Sequence, residues 1–284
     1  MTLPLERDNW AVAMLACRQR GEPHALATVI ATSGSTPRDS GSKMLVTPAA
    51  VVASIGGGGL EQLVVKRARE LLAVAQDCQE LRQFALGAEA QQCCGGSMTV
   101  LLECFAAAEP QLVIFGAGHV CHALVSITGR LSLRTLVVDS RPELLVALPH
   151  SYRVRTLCTD DPVEVCNTLD ANSLILVMTH DHRLDYSLVR TLLEPWRWSL
   201  LGMIGSATKA HRFRMRLRND GISESDLQNL QSPIGITGLK GKLPMEVAVS
   251  VSAGLMQHLQ GMAQPRAVPD WRATKALLKQ AREA

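Results

Sequence analysis

A strand, a tight turn and the start of a helix follow one another from Gln111 in this 284-residue chain, and that succession restricts the second half to one kind of sheet. Gln111–Phe115 (QLVIF) is an apolar run, Gly116-Ala117-Gly118 turns sharply, and a helical stretch begins at His119. The next apolar run, Leu136-Val137-Val138, ends in Asp139, about twenty residues beyond the turn. Glycines at 116 and 118 let the backbone approach a phosphate, the helix N-terminus offers unpaired N–H groups, and Asp139 stands where a carboxylate takes a ribose hydroxyl. Cys121 replaces the third glycine of G-x-G-x-x-G, where helix and strand pack closely. The turn therefore suits a phosphate-bearing ligand better than routine NAD chemistry. A purely structural turn is the competing reading.

Totals remove several classes of function. Hydrophobic residues make up 47% and charged residues 19%, the balance of a globular chain long enough for one large or two modest domains. A net charge of +3 is too mild for nucleic acid, and the basic run Arg212–Arg218 reads as a solvated helix face. The opening MTLPLERDNW lacks the apolar core of a signal peptide, and no apolar run reaches the ~18–20 residues of a membrane span. The expectation is a cytoplasmic protein with no membrane partner. Eight cysteines form no C-x-x-C pair, so neither a zinc ribbon nor a disulfide framework is indicated.

The chain divides near Ala106–Pro110. Residues 1–106 predict a small α+β domain: an amphipathic helix over 5–20 and strands at 25–32, 43–47 and 51–55. A helix over 60–75 and strands at 81–86 and 98–105 complete it. Residues 110–284 alternate strands (112–116, 134–138, 152–157, 173–178, 199–204) with helical stretches and close on a helix over 245–260. The fold class is α/β, the second domain being a Rossmann-like parallel sheet with helices on both faces.

Several segments carry chemistry. Gly56–Gly59 is costly to order and marks either a close backbone approach at Gly57 and Gly58 or a plain turn. Ser35-Thr36-Pro37-Arg38 offers hydroxyls and a guanidinium, the natural fork for phosphate, or else hydrogen bonds that merely brace the loop. Cys93-Cys94 beside Gly95-Gly96 could hold a soft metal or carry sulfur, or be inert. His180-Asp181-His182 with Asp185 follows the most apolar strand; metal binding, acid–base work, ligand contact and helix capping are all open there. Gly205-Ser206 opens another helix suited to an anion. Loops at 116–119, 180–182 and 202–206 converge on one crevice if the sheet is parallel.

Together these segments resemble the xanthine dehydrogenase accessory proteins (XdhC/CoxI). Gly34-Ser35-Thr36-Pro37-Arg38, Lys43-Met44, Ile55-Gly56-Gly57-Gly58 with Leu60-Glu61, and Gln92-Cys93-Cys94-Gly95-Gly96 are similar to that family's first domain. Phe115-Gly116-Ala117-Gly118-His119-Val120, Thr179-His180-Asp181, Met203-Ile204-Gly205-Ser206, Pro233-Ile234-Gly235 and Pro244-Met245-Glu246 are similar to its second. The resemblance implies a chaperone without catalytic residues of its own. Its cargo would be the molybdenum cofactor, molybdopterin, protected while a cysteine desulfurase supplies sulfur and then passed to apo-xanthine dehydrogenase. It also implies a homodimer. Arg38, Gly57, Gly58, Cys93, Cys94, Gly116, Gly118, His119, Asp139, His180, Gly205 and Ser206 are the candidate cofactor contacts, with Cys93 the first candidate for the metal and Cys94 the alternative. Two rival readings are an NAD(P)-dependent oxidoreductase and a structural assembly factor that binds no cofactor.

Overall fold

The computed structural model describes residues 9–87, 96–106, 109–194, 196–239 and 241–262, with Arg272 and Lys275. They group into two compact units that meet in sequence at Ala108/Glu109, and the second ends at Ala263. Arg272 and Lys275 belong with the first unit, whereas the sequence reading carried the second domain to residue 284.

The first unit opens with α1 (Trp10–Arg20), capped at its start by the Asn9 side chain and at its end by Gly21 in the left-handed region. Five strands follow: β1 (His24–Ser33), β2 (Lys43–Val46), β3 (Val51–Ala53), β4 (Cys78–Ala85) and β5 (Ser97–Phe105). They form one antiparallel sheet in the order β3-β2-β1-β5-β4. Helix α2 (Gly58–Ala73) supplies Leu60, Val64, Ala68 and Leu72, one apolar residue per turn, to a core with Met44, Phe84 and Leu102. The alternation of β5 explains this face: Met98, Val100, Leu102 and Cys104 point to that core. Several boundaries differ from expectation by a few residues. Gly58 and Gly59 lie inside α2, and β4 begins at Cys78, three residues early, because the polar edge residues Gln79 and Glu80 carry no apolar signal.

The second unit holds β6 (Gln111–Phe115), α3 (His119–Thr128), β7 (Arg134–Asp139), α4 (Pro142–Val146), β8 (Val154–Cys158) and α5 (Pro162–Val165). After these come β9 (Leu174–Val177), α6 (His182–Leu193), β10 (Leu200–Met203), α7 (Ala207–Asn219), α8 (Glu224–Gln228), β11 (Leu230–Gln231) and α9 (Pro244–Met262). The six strands β6–β11 form one parallel sheet, ordered β11-β10-β9-β6-β7-β8. The sixth, β11, was not anticipated; two residues carry no readable pattern.

Alternation along the strands feeds two cores. Leu112, Ile114, Leu174 and Leu176 face α3 and α9, through Cys121, Leu124, Ala248 and Val251. Val113, Phe115, Ile175 and Val177 face α6 and α7, through Leu188, Val189, Leu192 and Leu217. Helices thus cover both faces, and Rossmann-like architecture is the observed fold. Cys121, which replaces the third glycine of the turn, is 1% exposed and is accommodated as a small apolar residue between α3 and the sheet.

Candidate functional site

The chain leaves β6 toward β7 and β8, then returns to the other flank of β6 with β9, β10 and β11. That reversal puts a crevice beyond the C-terminal ends of β6 and β9, the place where open α/β sheets bind ligands. Register brings the ends level. Phe115 and Met203 both pair with Val177, and the Met178 N–H donates to Phe115 O at 2.9 Å while that of Ile204 donates to Val177 O at 2.9 Å. The loops at Gly116–His119, Thr179–His182 and Ile204–Ser206 therefore leave the sheet side by side.

Gly116 is fixed by contact. Its φ is +109°, and a Cβ there would sit 2.4 Å from Met178 O. Only glycine lets the two strand ends close in this way. Gly118 differs: its φ is −72°, and a Cβ would meet nothing within 4 Å. The space above the start of α3 is open. No side chain caps α3, whereas Asp181 caps α6 through the Arg183 N–H at 2.7 Å and Ser206 caps α7 through the Lys209 N–H at 3.2 Å. Of the three helices that begin at these strand ends, α3 alone leaves its first-turn N–H groups without a side-chain acceptor. That is the most anion-ready point of the crevice. His119 and His180 are exposed beside it.

Asp139 is placed at the turn, but as a brace. Oδ2 accepts from the Ala117 N–H at 2.7 Å and Arg141 Nη2 at 2.8 Å, and Oδ1 accepts from the Arg141 N–H at 3.0 Å and Nε at 2.8 Å. A carboxylate has about four acceptor positions, and all are used. Burial pushes this carboxyl upward, but the bonds from Arg141 and Ala117 outweigh that and hold it at about 2. Arg141, two residues on, was not singled out from sequence; the template assigns the acid to a ribose and gives no reason to look past it.

His182 lies 3.8 Å from Asp185, and Asp185 is fully buried. Its partners are the Thr179 N–H at 3.1 Å, the Thr179 hydroxyl at 2.7 Å and Lys209 Nζ at 2.6 Å; Lys209 also donates to Ile204 O at 3.1 Å. This network ties the loop after β9 to the loop after β10. Among the described residues no group of three metal-ligating side chains is present. A cleft of about 720 Å³ adjoins Gly205, with Ile204, Pro233, Ile234, Lys242 and Glu246 around it. Glu246 Oε2 accepts from the N–H groups of Lys242 at 2.9 Å and Leu243 at 3.1 Å, which fixes the approach to α9. Ile204, Gly205, Pro233, Ile234 and Glu246 all stand in segments that carry the family resemblance, but nothing in their spacing shows that they line one cleft.

In the first unit the quoted motifs close on one another. Gly56, with φ +134°, would place a Cβ 2.6 Å from Pro37 Cγ, and Gly96 would place one 2.4 Å from Ser33 O and 2.5 Å from Ser35 O. The 33–38 loop is thus held between two glycines. Gly57 caps α2 and Gly58 is its first residue, while Glu61 accepts from the Ser54 hydroxyl at 3.2 Å and the Ile55 N–H at 3.4 Å. Arg38 is exposed on this loop. Cys93 and Cys94 lie outside the described residues. The basic run of α7 is partly structural: Arg214 donates to Leu230 O at 2.9 Å, and Arg216 stacks 3.9 Å over the Tyr186 ring.

Residues 112–255 match the XdhC Rossmann domain, and residues 17–84 match the XdhC and CoxI family. The chain is 29% identical over 244 residues to the uncharacterized protein YqeB of Escherichia coli K12, across 83% of its own length. It spans 43% of the length of that relative. A solved xanthine dehydrogenase from Bacillus halodurans is similar at 20% identity over 90% of this chain and 97% of the other, with a TM-score of 0.48. A Rossmann-fold NAD(P)-binding family protein from Shigella flexneri is similar at 10% identity over 51% of this chain and 85% of the other, with a TM-score of 0.34.

Proposed function

Because this chain belongs to the XdhC family, we propose that it is an accessory protein that holds the molybdenum cofactor as cargo and passes it to apo-xanthine dehydrogenase. The observation that carries the reading is the uncapped start of α3 beneath the open space at Gly118. Molybdopterin ends in a phosphate, and that group finds there both backbone donors and room that a side chain would fill. The cleft beside Gly205, at Ile204, Ile234 and Val247, gives a mainly apolar surface on which a flat pterin can be kept from water.

An NAD(P)-dependent oxidoreductase is the weaker reading. Recognition of a ribose diol needs free acceptor capacity on the acid after the second strand, and Asp139 spends its capacity on Ala117 and Arg141. A ligand that presents a phosphate without a ribose diol matches what the turn leaves available. Cys93 is the proposed contact for molybdenum or its sulfur, with Cys94 as the alternative; a cysteine desulfurase is the proposed sulfur donor, and the chain acts as a homodimer.

The test is purification of the full chain from molybdate-supplied cells, followed by assay of molybdenum and of fluorescent pterin oxidation products. Bound pterin that drops in Gly118→Ala, and molybdenum that drops in Cys93→Ala, is the expected result. Tight NAD(P) binding with no pterin in any preparation overturns the reading.

A further inference from the structure

We propose that Cys78 and Cys104 are a reversible disulfide site, closed across β4 and β5 by a low-molecular-weight disulfide such as oxidised glutathione. The proposal does not depend on the cofactor reading. The two cysteines are direct register partners in the antiparallel pair. Directly opposed residues share one face, with Cβ atoms about 4.5–5.5 Å apart. A disulfide needs Cα atoms about 4.4–6.8 Å apart and Cβ atoms about 3.5–4.5 Å apart, so closure asks for a small inward movement of two side chains. No other two cysteines among the described residues are register partners.

The environments of the two differ in a way that orders the chemistry. Cys78 is half-buried at the start of β4, and β4 is the edge strand of its sheet, so an oxidant can reach it. Cys104 is 2% exposed, in the core under α2 with Leu102, Ala68 and Leu72. Burial, reinforced by the neighbouring Cys78, pushes the Cys104 thiol up to about 12. Cys104 is therefore the resolving partner. The Cys78 thiolate attacks one sulfur of oxidised glutathione, forming a mixed disulfide and releasing one glutathione thiolate. Cys104 then attacks the Cys78 sulfur, gives up its proton to the second departing glutathione thiolate, and completes the Cys78–Cys104 bond. The two protein thiols lose two electrons, and one oxidised glutathione becomes two reduced molecules.

Closure clamps the edge strand to its neighbour.

The experiment treats the folded full-length chain with oxidised glutathione, blocks free thiols, digests without reduction and maps linked peptides by mass. A Cys78–Cys104 linked peptide, lost on addition of reductant, is expected. Exposed Cys158, which has no register partner cysteine, should accumulate only glutathione and serves as the internal control. In Cys104→Ser, Cys78 should be trapped as the glutathione adduct. Both thiols remaining separately blockable while Cys158 is fully modified overturns the proposal. So does a linked peptide that forms equally fast in urea-unfolded chain, since pairing would then owe nothing to the register.

Discussion

Lys209 Nζ lies 2.6 Å from Asp185 Oδ2, with Asp185 fully buried and Lys209 14% exposed. The pair spans two strand ends, joining the first turn of α6 to that of α7 across the crevice. Removing one member leaves the other charge buried, a change that costs about 3–5 kcal/mol. Lys209→Met should therefore lower unfolding stability by about 3 kcal/mol. The double variant Lys209→Met with Asp185→Asn should recover much of that loss, because neither charge is then stranded. Urea unfolding of the two singles and the double checks this. Additive losses would contradict a direct pair.

Asp139 gives a pH signature. Its carboxyl is held at about 2, below the ordinary 3.8, so its folded form favours the charged state. The stabilisation is complete above the ordinary value and fades as pH falls from about 4 to about 2. The amount is about 2 kcal/mol, at 1.4 kcal/mol for each pH unit of displacement. Asp139→Asn should be less stable at neutral pH and show a flatter acid limb over that window. An unchanged limb would place the acid sensitivity elsewhere.

The two turn glycines should part company. Gly116→Ala forces a Cβ to 2.4 Å from Met178 O at a positive φ, so the strand ends must separate, at about 2–4 kcal/mol. Gly118→Ala meets open space at φ −72° and should fold with a loss below about 1 kcal/mol. The added methyl group, however, enters the space proposed for the cargo phosphate. Thermal unfolding separates the first effect from bound pterin content, which reads the second.

In the first unit, Gly96→Ala sets a Cβ against the carbonyls of Ser33 and Ser35, backbone that cannot rotate away. A destabilisation of about 2–3 kcal/mol is expected, with the 33–38 loop becoming protease-sensitive. Gly87→Ala, which meets nothing within 4 Å, is the matched control.

Local signals were readable and distant ones were not. The turn at Gly116 showed in sequence because an apolar run, glycines and a helix start are contiguous, and the parallel sheet followed from the repeated strand–helix alternation. The same alternation predicted that the loops at 116–119, 180–182 and 202–206 would meet. Asp185–Lys209 and Cys78–Cys104 each join residues more than twenty positions apart, and no periodicity announces a partner at that distance. Arg141 was hidden for another reason: it stands two residues from the acid it neutralises, but only the geometry shows that it and Ala117 fill the carboxylate. Asp181 and Ser206 turned out to be helix caps, a role open to them from residue type alone.

The proposed cargo bears a phosphate seated over the start of α3. The most direct measurement is the pterin and molybdenum content of the full chain purified from molybdate-supplied cells, beside Gly118→Ala prepared identically. About one pterin per chain, reduced at least tenfold in a Gly118→Ala protein of unchanged fold, is the predicted result. Equal pterin content in both proteins, or none in either, contradicts it.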